Sequence, residues 1–444
     1  MAATPVSRLQ ALIRIPTITI ENETDADFRH HDAFIAALEH LYPALHSTLE
    51  REIVAGHSLL FRWPGSGAAD PMLLMAHYDV VAATDEGWEH GPFSGDLDGD
   101  LIWGRGTLDD KGDLAAVFEA VENLVTSGFT PTRDIYLCVG HNEESYGTGA
   151  RQIARLLESR GIRLGLVSDE GGAIVEGVFP GVADPIAVVG VSEKGLTTIV
   201  LTVEQNGGHA SMPPRMTATV RLARAVQRLN DKPFPARLGP VTVGMLKALG
   251  PHSTGALRFA ISNLWLTKGL VRVLLGKLSD ETRAMVRTTQ AVTQLSGSQS
   301  HNALAERATA TINLRIAVGS SVAETEAHVR RAIRDPLVGI AVVDPAEPSP
   351  VSPTTGDAWE AVSASVAAVY PGVIVAPYVM LAASDSRHFT GISDNVYRFS
   401  PFRMTTEQRG TLHAKNERMN VSTWLDGIRF YEHLIGRFAG QVPG

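Results

Sequence analysis

The stretch that decides the fold of this chain is residues 72–80, MLLMAHYDV. In it, a short apolar run is followed directly by His77, and Asp79 comes two residues later. A near-continuous apolar run of this length is typical of a strand that is covered on both faces of a parallel sheet. Similar runs at 135–139, 164–167 and 186–191 predict further strands of the same sheet. Between them, residues 112–128 and 148–161 have helical periodicity and end at glycine, which predicts βαβ units.

Acidic and imidazole side chains follow three of these predicted strands. The side chains after the first, second and third runs are His77, the pair Glu143 and Glu144, and Asp169. In such sheets, ligands bind outside the carboxyl ends of the strands, which all lie at one edge. We therefore expect these side chains to lie close together.

Two further sequence motifs supply metal donors. In GRGTLDDKG, residues 104–112, two glycines permit a tight turn that ends in Asp109 and Asp110, whereas His413 stands alone in TLHAKNER. Hard oxygen and borderline nitrogen donors in this mixture suit a pair of divalent cations, and zinc is the expected metal. The alternative for either aspartate, and for Asp169, is a simple helix cap.

The remaining acidic residues are candidates for supporting roles. Asp79 can accept the free imidazole N–H of a metal-bound His77 and so fix the orientation of the ring. Because Glu143 and Glu144 are adjacent, their side chains diverge, and we expect one to bind metal and the other to hold a proton. Two solvated carboxylates at a helix start are the alternative. The set as a whole predicts a metallohydrolase.

Composition and charge exclude several classes of protein. A formal net charge of -9, with no Lys/Arg-rich run, argues against a nucleic-acid partner. The first twenty residues lack the unbroken apolar region of a signal peptide, and no segment is long and apolar enough to span a bilayer. The lone Cys138 lies in an apolar run and rules out an internal disulfide. We therefore expect a cytoplasmic enzyme.

A second module interrupts the first and is here called the lid. Residues 195–205 and 308–318 alternate like half-exposed strands, and a helical pattern follows each, which indicates an α+β module of the split βαβ kind. We expect the catalytic domain to occupy residues 1–192 and 351–444 and the lid to occupy 193–350. The proline-rich residues 344–353 are the expected linker back.

A helical insertion is expected within the lid, at about residues 231–297. It contains the apolar stretch 263–278, NLWLTKGLVRVLLGKL, in which Lys268, Arg272 and Lys277 are too frequent for a membrane span. A peripheral helix at a membrane surface is one alternative. We expect the stretch instead to pack against the lid or a partner subunit.

Together, these motifs resemble those of the co-catalytic zinc metallopeptidase family that includes glutamate carboxypeptidase, aminoacylase, succinyl-diaminopimelate desuccinylase and carboxypeptidase S. The resemblance runs from the first helix to the last. SDSRHF, VYRFSP and HAKNER are most similar to the carboxypeptidase S branch and its relatives that cleave N-acyl amino acids. It implies an α/β fold, with a zinc exopeptidase-like, mostly parallel sheet flanked by helices and an inserted α+β ferredoxin-like lid. In many members the lid mediates dimerisation, which makes a homodimer the expected assembly.

The resemblance also implies a metal centre and a general base. Two zinc ions per chain are expected, with cobalt and manganese as alternatives, and the implied ligands are His77, Asp109, Glu144, Asp169 and His413. Asp109 would bridge the two ions. Glu143 would be the general base, and Asp79 would orient His77.

Four further residues are implied to contact the substrate. His209, in NGGHASMPP, is similar to the lid histidine that stabilises the developing oxyanion, often in the centre of the partner subunit. The positions that hold the amide and carboxylate of the substrate correspond to Asn302, Arg315 and Arg387. Arginine suits a carboxylate because its planar fork binds it through two hydrogen bonds. Either arginine could instead close an internal ion pair.

The expected reaction is hydrolysis of an amide bond next to a free carboxylate. The substrate would be a short peptide, for a carboxypeptidase or dipeptidase, or an N-acyl amino acid, for an aminoacylase-like amidohydrolase. A catalytically silent binding protein on the same fold is the alternative of another class. Such a protein would have lost a ligand or the base, whereas this chain has the full set.

Overall fold

The computed structural model describes residues 4–24, 26–145, 147–179 and 181–440. Its helices, in chain order, are α1 (Pro5–Ile13), α2 (Arg29–Leu41), α3 (Pro43–Thr48), α4 (Lys111–Thr126), α5 (Thr148–Ser159), α6 (Ala218–Asn230), α7 (Pro240–Leu249), α8 (Gly255–Ser262), α9 (Leu264–Leu278), α10 (Asp280–Val286), α11 (Val322–Ile333), α12 (Asp357–Val369), α13 (Thr406–Arg409) and α14 (Val421–Ala439). The strands are β1 (Glu50–Val54), β2 (Ser58–Trp63), β3 (Met72–His77), β4 (Leu97–Asp98), β5 (Leu101–Trp103), β6 (Ile135–Gly140), β7 (Leu166–Val175), β8 (Ile186–Glu193), β9 (Gly195–Glu204), β10 (Gly208–His209), β11 (Thr289–Ser296), β12 (Ala303–Leu304), β13 (Arg307–Ile316), β14 (Gly339–Ala346), β15 (Ile374–Met380), β16 (Val396–Met404) and β17 (Arg418–Asn420).

The main sheet has eight strands in the order β1-β2-β6-β3-β7-β16-β8-β15. The pairs β6–β3, β3–β7, β7–β16 and β8–β15 are parallel, whereas β1–β2 and β2–β6 form an antiparallel edge. Every residue of β3 and β6 is buried, as expected for strands with helices on both faces. The predicted α/β fold with a mostly parallel sheet is confirmed.

Alternation along β3 divides the hydrophobic core between the two faces of this sheet. Met72 and Leu74 belong to a large core that also includes side chains of α1, α4 and α14. Leu73 and Met75 belong to a smaller core that includes side chains of α5. Burial on both faces is why the strand carries almost no polar residue until it ends at His77.

A second sheet has four antiparallel strands in the order β11-β13-β9-β14. Side chains of α6 and α11 share a separate core with β9 and β13. This is the α+β arrangement that the alternating strands predict. Strand β8 of the main sheet ends at Glu193, and β9 of the second sheet begins at Gly195, so the connection between these two strands is a single residue. Gly195 pairs with Ile316, the last residue of β13.

The chain returns to the main sheet after the lid, and β16 takes a place between β7 and β8. Three features differ from the sequence expectation. The hairpin β1–β2 extends the sheet at one edge, β11 occupies part of the predicted helical insertion, and β7 continues to Val175 rather than ending near residue 167. In the part of the chain that the structure describes, no helix combines the length and apolar character needed to cross a bilayer.

Candidate metal centre

His77 is the last residue of β3 and is buried at the carboxyl edge of the main sheet. Its Nδ1 lies 3.0 Å from the main-chain oxygen of Asp79 and 3.2 Å from the carboxylate of the same residue. That carboxylate also accepts the main-chain N–H groups of Glu143, at 3.0 Å, and Glu144, at 3.1 Å. Asp79 therefore fixes both the His77 ring and the turn that carries the two glutamates.

Asp79 is the negative partner in this arrangement. Burial by itself would raise the pKa of Asp79, but the hydrogen bond and charge of His77 and the two N–H groups outweigh it and lower the pKa. An ionised carboxylate at this position keeps a proton on Nδ1 of His77. The other ring nitrogen, Nε2, is then available for a cation.

Asp109 lies between two imidazole rings. Nε2 of His77 is 3.1 Å from its Oδ1, and Nε2 of His413 is 2.9 Å from its Oδ2. The preceding turn contains Gly104 and Gly106, with φ angles of 147° and 91°, which glycine adopts readily. A carboxylate with a nitrogen donor next to each oxygen is placed to be shared by two cations.

Two groups of potential metal ligands share Asp109. Within each group the ligand atoms lie within 4.8 Å of one another, and the groups are His77, Asp109 and Glu170, and Asp109, Glu144 and His413. Nε2 of His413 is 3.2 Å from Oε1 of Glu144, and Nε2 of His77 is 3.8 Å from Oε1 of Glu170. The structure thus brings together four of the five residues that the sequence nominated as ligands.

Glu170 takes the place expected for Asp169. Because β7 does not end at Asp169, the side chains of residues 169 and 170 point to opposite sides of the strand. Arg398 of β16 pairs with Asp169, and the next residue of β16, Phe399, pairs with Gly172. Residues 170 and 171 therefore form a bulge in β7, which changes the direction of the Glu170 side chain. Asp169 instead accepts the main-chain N–H of Ser386 at 2.8 Å. In the structure Glu170, and not Asp169, is grouped with His77 and Asp109.

The donor set fits a pair of divalent cations. Burial, and then the neighbouring carboxylates, raise the pKa of Glu170. The carboxylates of Asp109 and then Glu144 raise the pKa of His413 to about 10. Oε1 of Glu144 is buried, and its approach to His413 lacks hydrogen-bond geometry. Grouped buried carboxylates with an unsatisfied oxygen are costly without compensating positive charge.

Glu143 lies beside these groups but belongs to neither. Burial is the main cause that raises the pKa of the Glu143 carboxyl group. The charge of His77 lowers this pKa, whereas the charges of Asp385 and Asp109 raise it further. A carboxyl group with a raised pKa can both accept a proton and return it. Its neighbours and its separation from the ligand groups fit a general base.

Glu417 holds the turn that presents Asp109. Its Oε1 accepts the main-chain N–H groups of Gly106, Leu108 and Asp109 at 3.0, 2.8 and 3.3 Å, and its Oε2 pairs with the guanidinium of Arg105. Glu417 is fully buried. No role was predicted for it, although HAKNER contains both this glutamate and His413. It is a positioning residue for the centre of the cluster.

Arg315 and Arg387 come from different parts of the fold and lie within electrostatic range of each other. Arg315 is near the end of β13 in the lid sheet, and Arg387 is in the 3-10 turn Asp385–Phe389. Burial and then the charge of Arg387 lower the pKa of Arg315, while Glu193 and Glu143 oppose the shift. Nη1 of Arg315 is buried without a hydrogen bond among the described residues. This donor is available for an anionic group.

A buried ion pair supports the turn that carries Arg387. Nε of Arg398 lies 3.2 Å from Oε2 of Glu193, and the same oxygen accepts the main-chain N–H of Ser384 at 3.0 Å. Both charged residues are almost completely buried. The pair joins β16, β8 and the start of the turn, and no sequence motif pointed to it.

His209 and Asn302 lie together on the lid but not in the metal cluster. His209 belongs to the short ladder of β10 and β12, in which it pairs with Ala303, and Asn302 directly precedes β12. The main-chain N–H of Ala210 donates to the main-chain oxygen of Asn302 at 3.0 Å. The His209 ring is exposed and lies 2.8 Å from the hydroxyl of Ser211. Among the residues that the structure describes, neither side chain has a hydrogen bond to the cluster.

A mostly parallel α/β sheet with groups of potential metal ligands at its carboxyl edge is suited to the class of metal-dependent hydrolases. Comparison of the sequence with protein families places the chain within that class. Residues 73–437 match the model of Peptidase family M20/M25/M40, and the chain belongs to this family.

Relatives of about one third identity extend over nearly the whole chain. The human protein named N-fatty-acyl-amino acid synthase/hydrolase PM20D1 is 36% identical over 440 residues, which cover 96% of this chain and 86% of that protein. Probable carboxypeptidase S-like 2 of Dictyostelium discoideum is 36% identical over 438 residues, covering 96% and 84%. The predicted similarity to the carboxypeptidase S branch is confirmed, and the chain is a hydrolase.

Solved structures share the fold at much lower identity. The M20 family metallo-carboxypeptidase Sso-CP2 of Sulfolobus solfataricus has a TM-score of 0.71 and 17% identity, covering 98% of this chain and 99% of that one. Human carnosine dipeptidase 1 has a TM-score of 0.65 and 14% identity, covering 98% and 96%. These likenesses show the fold over nearly the whole length of the chain.

Proposed function

We propose that this protein is a two-zinc hydrolase that cleaves an amide bond next to a free carboxylate. The observation that carries the proposal is the Asp109 carboxylate, shared by two ligand groups, with Glu143 beside both. The proposed ligands are His77, Asp109, Glu170, Glu144 and His413. Cobalt or manganese would also suit this mixture of oxygen and nitrogen donors.

The chemistry divides between the cations and the side chains. When bound, the cations supply Lewis acidity, which polarises a carbonyl group and lowers the pKa of water. Glu143 accepts the proton of the attacking water and delivers it to the nitrogen of the leaving amine. Asp79 keeps the His77 ring in one orientation throughout, since its carboxylate also anchors the glutamate turn.

The substrate carboxylate is proposed to bind between Arg315 and Arg387. Support comes from Nη1 of Arg315, which is buried and has no hydrogen-bond partner among the residues that the structure describes, and from the nearby charge of Arg387. Relatives named for hydrolysis of N-fatty-acyl amino acids and relatives named as carboxypeptidases match this chain equally well. Both substrate classes place a carboxylate next to the scissile amide, so one anchoring site serves either.

A substrate panel tests this proposal. We expect the zinc-loaded protein to hydrolyse dipeptides or N-acyl amino acids, and to act poorly on the same compounds with the carboxylate converted to an amide. Arg387→Ala should raise KM for the free acids by about tenfold or more, because a charge-assisted hydrogen bond contributes about 1.5–3 kcal/mol. Steady-state kinetics on the acid and amide pairs measures both effects.

The exposed Arg163, which pairs with Asp394 on the surface, provides the control variant Arg163→Ala. Equal hydrolysis of acids and amides by the wild-type protein would contradict a carboxylate anchor. An unchanged KM in Arg387→Ala together with a raised KM in Arg315→Ala would assign the anchor to Arg315 alone. The panel also separates the two substrate classes, since it reports which acyl groups are accepted.

We further propose a homodimer in which the lid of one subunit supplies His209 to the centre of the other. The proposal is supported by the exposed His209 ring, which has no hydrogen bond to its own cluster among the described residues. An imidazole N–H directed at the carbonyl oxygen would stabilise the developing oxyanion. Asn302, held next to the same ladder, would contact the substrate amide.

A cytoplasmic location is also proposed, and it rests on the single, buried Cys138.

Complementation between two inactive variants tests the shared centre. His209→Ala and Glu143→Gln should each be nearly inactive as pure proteins, whereas equal amounts that exchange subunits should recover about a quarter of wild-type activity. Half of the dimers are then mixed, and each mixed dimer has one intact centre of its two. The measurement is the turnover of the mixture after the two variants have been refolded together, relative to that of the wild-type protein. A mixture that stays inactive while mixed dimers are present would place His209 in its own subunit's centre.

A further inference from the structure

Helix α9 presents a row of leucines to solvent. It packs against the protein through one narrow row, Thr267, Val271 and Leu275, spaced four residues apart. Residues with this spacing lie on one face of a helix. The adjacent row is between 54% and 65% exposed and consists of Leu266, Leu270, Leu274 and Leu278. The expected packing of this stretch within the chain is therefore limited to a small part of its surface.

Aromatic side chains extend this apolar face. Trp265, at the start of α9, is 84% exposed, and Phe259 on α8 is 63% exposed. Val273, which lies opposite the buried row, is 46% exposed. Val273 is three residues from Leu270 and so adjoins the leucine row, and a group of large exposed apolar residues on two successive helices indicates an interaction site. We call the surface formed by these three residues and the leucine row the α8–α9 face.

The charge of the surrounding segment is unlike that of the rest of the chain. Residues 232–279 contain no aspartate or glutamate, although the chain as a whole has a net charge of -9. The basic residues of the same segment are Lys232, Arg237, Lys247, Arg258, Lys268, Arg272 and Lys277. A local positive charge of this size on an acidic protein favours an anionic partner.

Three of these cations converge beside the α8–α9 face. Arg237, Lys268 and Arg272 line a surface depression of about 370 Å³, together with Leu238 and Gly269. None of the three forms an ion pair with any residue in the described part of the chain. A depression lined by three cations and no carboxylate is suited to a phosphate group.

We propose that the α8–α9 face docks on the surface of an anionic lipid bilayer. The leucines and Trp265 would enter the boundary between headgroups and acyl chains, where tryptophan is favoured. The depression lined by Arg237, Lys268 and Arg272 would hold the phosphate of one phospholipid headgroup. The contact is peripheral, because no described helix is long and apolar enough to cross the bilayer.

Charge distinguishes this occupant from a second copy of the chain. A symmetric dimer contact places the same patch of both subunits against each other. Lys268 and Arg272 of one copy would then approach the same cations of the other, with no acidic residue in the segment to compensate them. A bilayer that contains anionic lipid neutralises these charges and covers the apolar residues at once.

Vesicle sedimentation tests the proposal on the full-length protein. We expect the wild-type protein to sediment with vesicles of phosphatidylcholine and phosphatidylglycerol, to remain in solution with phosphatidylcholine alone, and to be released by added salt. The double substitution Lys268→Glu and Arg272→Glu should lower the partition coefficient by about tenfold or more. Leu270→Ser with Leu274→Ser should lower it similarly, because the apolar contact is lost. Tryptophan emission should shift to shorter wavelength on binding, and Trp265→Ser should remove that shift.

Matched substitutions elsewhere serve as controls. Arg29→Glu with Arg163→Glu reverses two exposed charges, and Val292→Ser with Leu295→Ser replaces two exposed apolar residues of β11. Both control pairs should sediment like the wild-type protein. The proposal is overturned if the wild-type protein stays in solution with the anionic vesicles, or if the controls lose binding to the same extent. A dimer that forms without lipid and dissociates in Leu270→Ser with Leu274→Ser would assign the face to a second copy instead.

Discussion

The Glu143→Gln variant is expected to lose turnover while it keeps its metal ions. Glutamine has nearly the same shape as glutamate, but its amide cannot accept the proton of an attacking water. Removal of a general base lowers turnover by about a hundredfold to ten-thousandfold. Since Glu143 is in neither ligand group, metal content should remain close to that of the wild-type protein. The measurements are kcat on the best substrate and metal per chain by atomic spectroscopy.

Glu158, exposed on α5, gives the control variant Glu158→Gln, which should match the wild-type protein in both measurements. Retained turnover in Glu143→Gln would remove this residue from the role of base. Loss of metal together with turnover would identify Glu143 as a ligand. The two failures are distinguishable because metal content and kcat are measured on the same sample.

The second large effect is expected at Glu170 and not at its neighbour. Glu170→Ala removes a carboxylate from the group that contains His77 and Asp109, so one of the two metal sites should weaken. We expect metal content to fall from about two ions per chain toward about one, and turnover to fall by more than about a hundredfold, since loss of even a supporting residue costs about 10–100-fold.

Asp169→Asn is the matched control for Glu170→Ala. Asparagine retains an oxygen that can accept the main-chain N–H of Ser386, so the metal content of this variant should stay near two ions per chain. The reverse pattern, with metal lost in Asp169→Asn and retained in Glu170→Ala, would restore Asp169 as the ligand. Titration of the metal-free proteins with zinc resolves the stoichiometry of each variant.

The position of the cluster could be predicted because it follows from sheet topology. The apolar runs in the sequence predicted β3 and β6. Because the carboxyl ends of parallel strands lie at one edge of a sheet, these runs also predicted that His77 lies near Glu143 and Glu144. The choice between Asp169 and Glu170 could not be made in this way. It depends on a bulge in β7, which arises from pairing with β16, more than 200 residues further along the chain.

The fully buried charged residues could not be predicted from the sequence. Glu417 and Arg398 lie in segments that contain polar residues, and sequence alone does not show that tertiary contacts bury them completely. For α9, in contrast, the sequence predicts more burial than the structure has. Its leucines predict a packed helix, but the fold covers only the row of Thr267, Val271 and Leu275, and periodicity does not indicate whether a neighbour exists for the other row.

The place of β16 in the main sheet has a consequence for biosynthesis. The strand that separates β7 from β8 is translated only after the whole lid, and His413 follows later still. Roughly 240 residues separate Glu170 from His413, so at about 5–20 residues per second the ribosome needs about ten to fifty seconds between them. Until β16 has been made, residues 167–169 of β7 lack the neighbour strand with which they pair, and until His413 has been made the nascent chain lacks the second imidazole. A strand edge without its neighbour promotes aggregation, and the proposed set of metal ligands is complete only once His413 has been made.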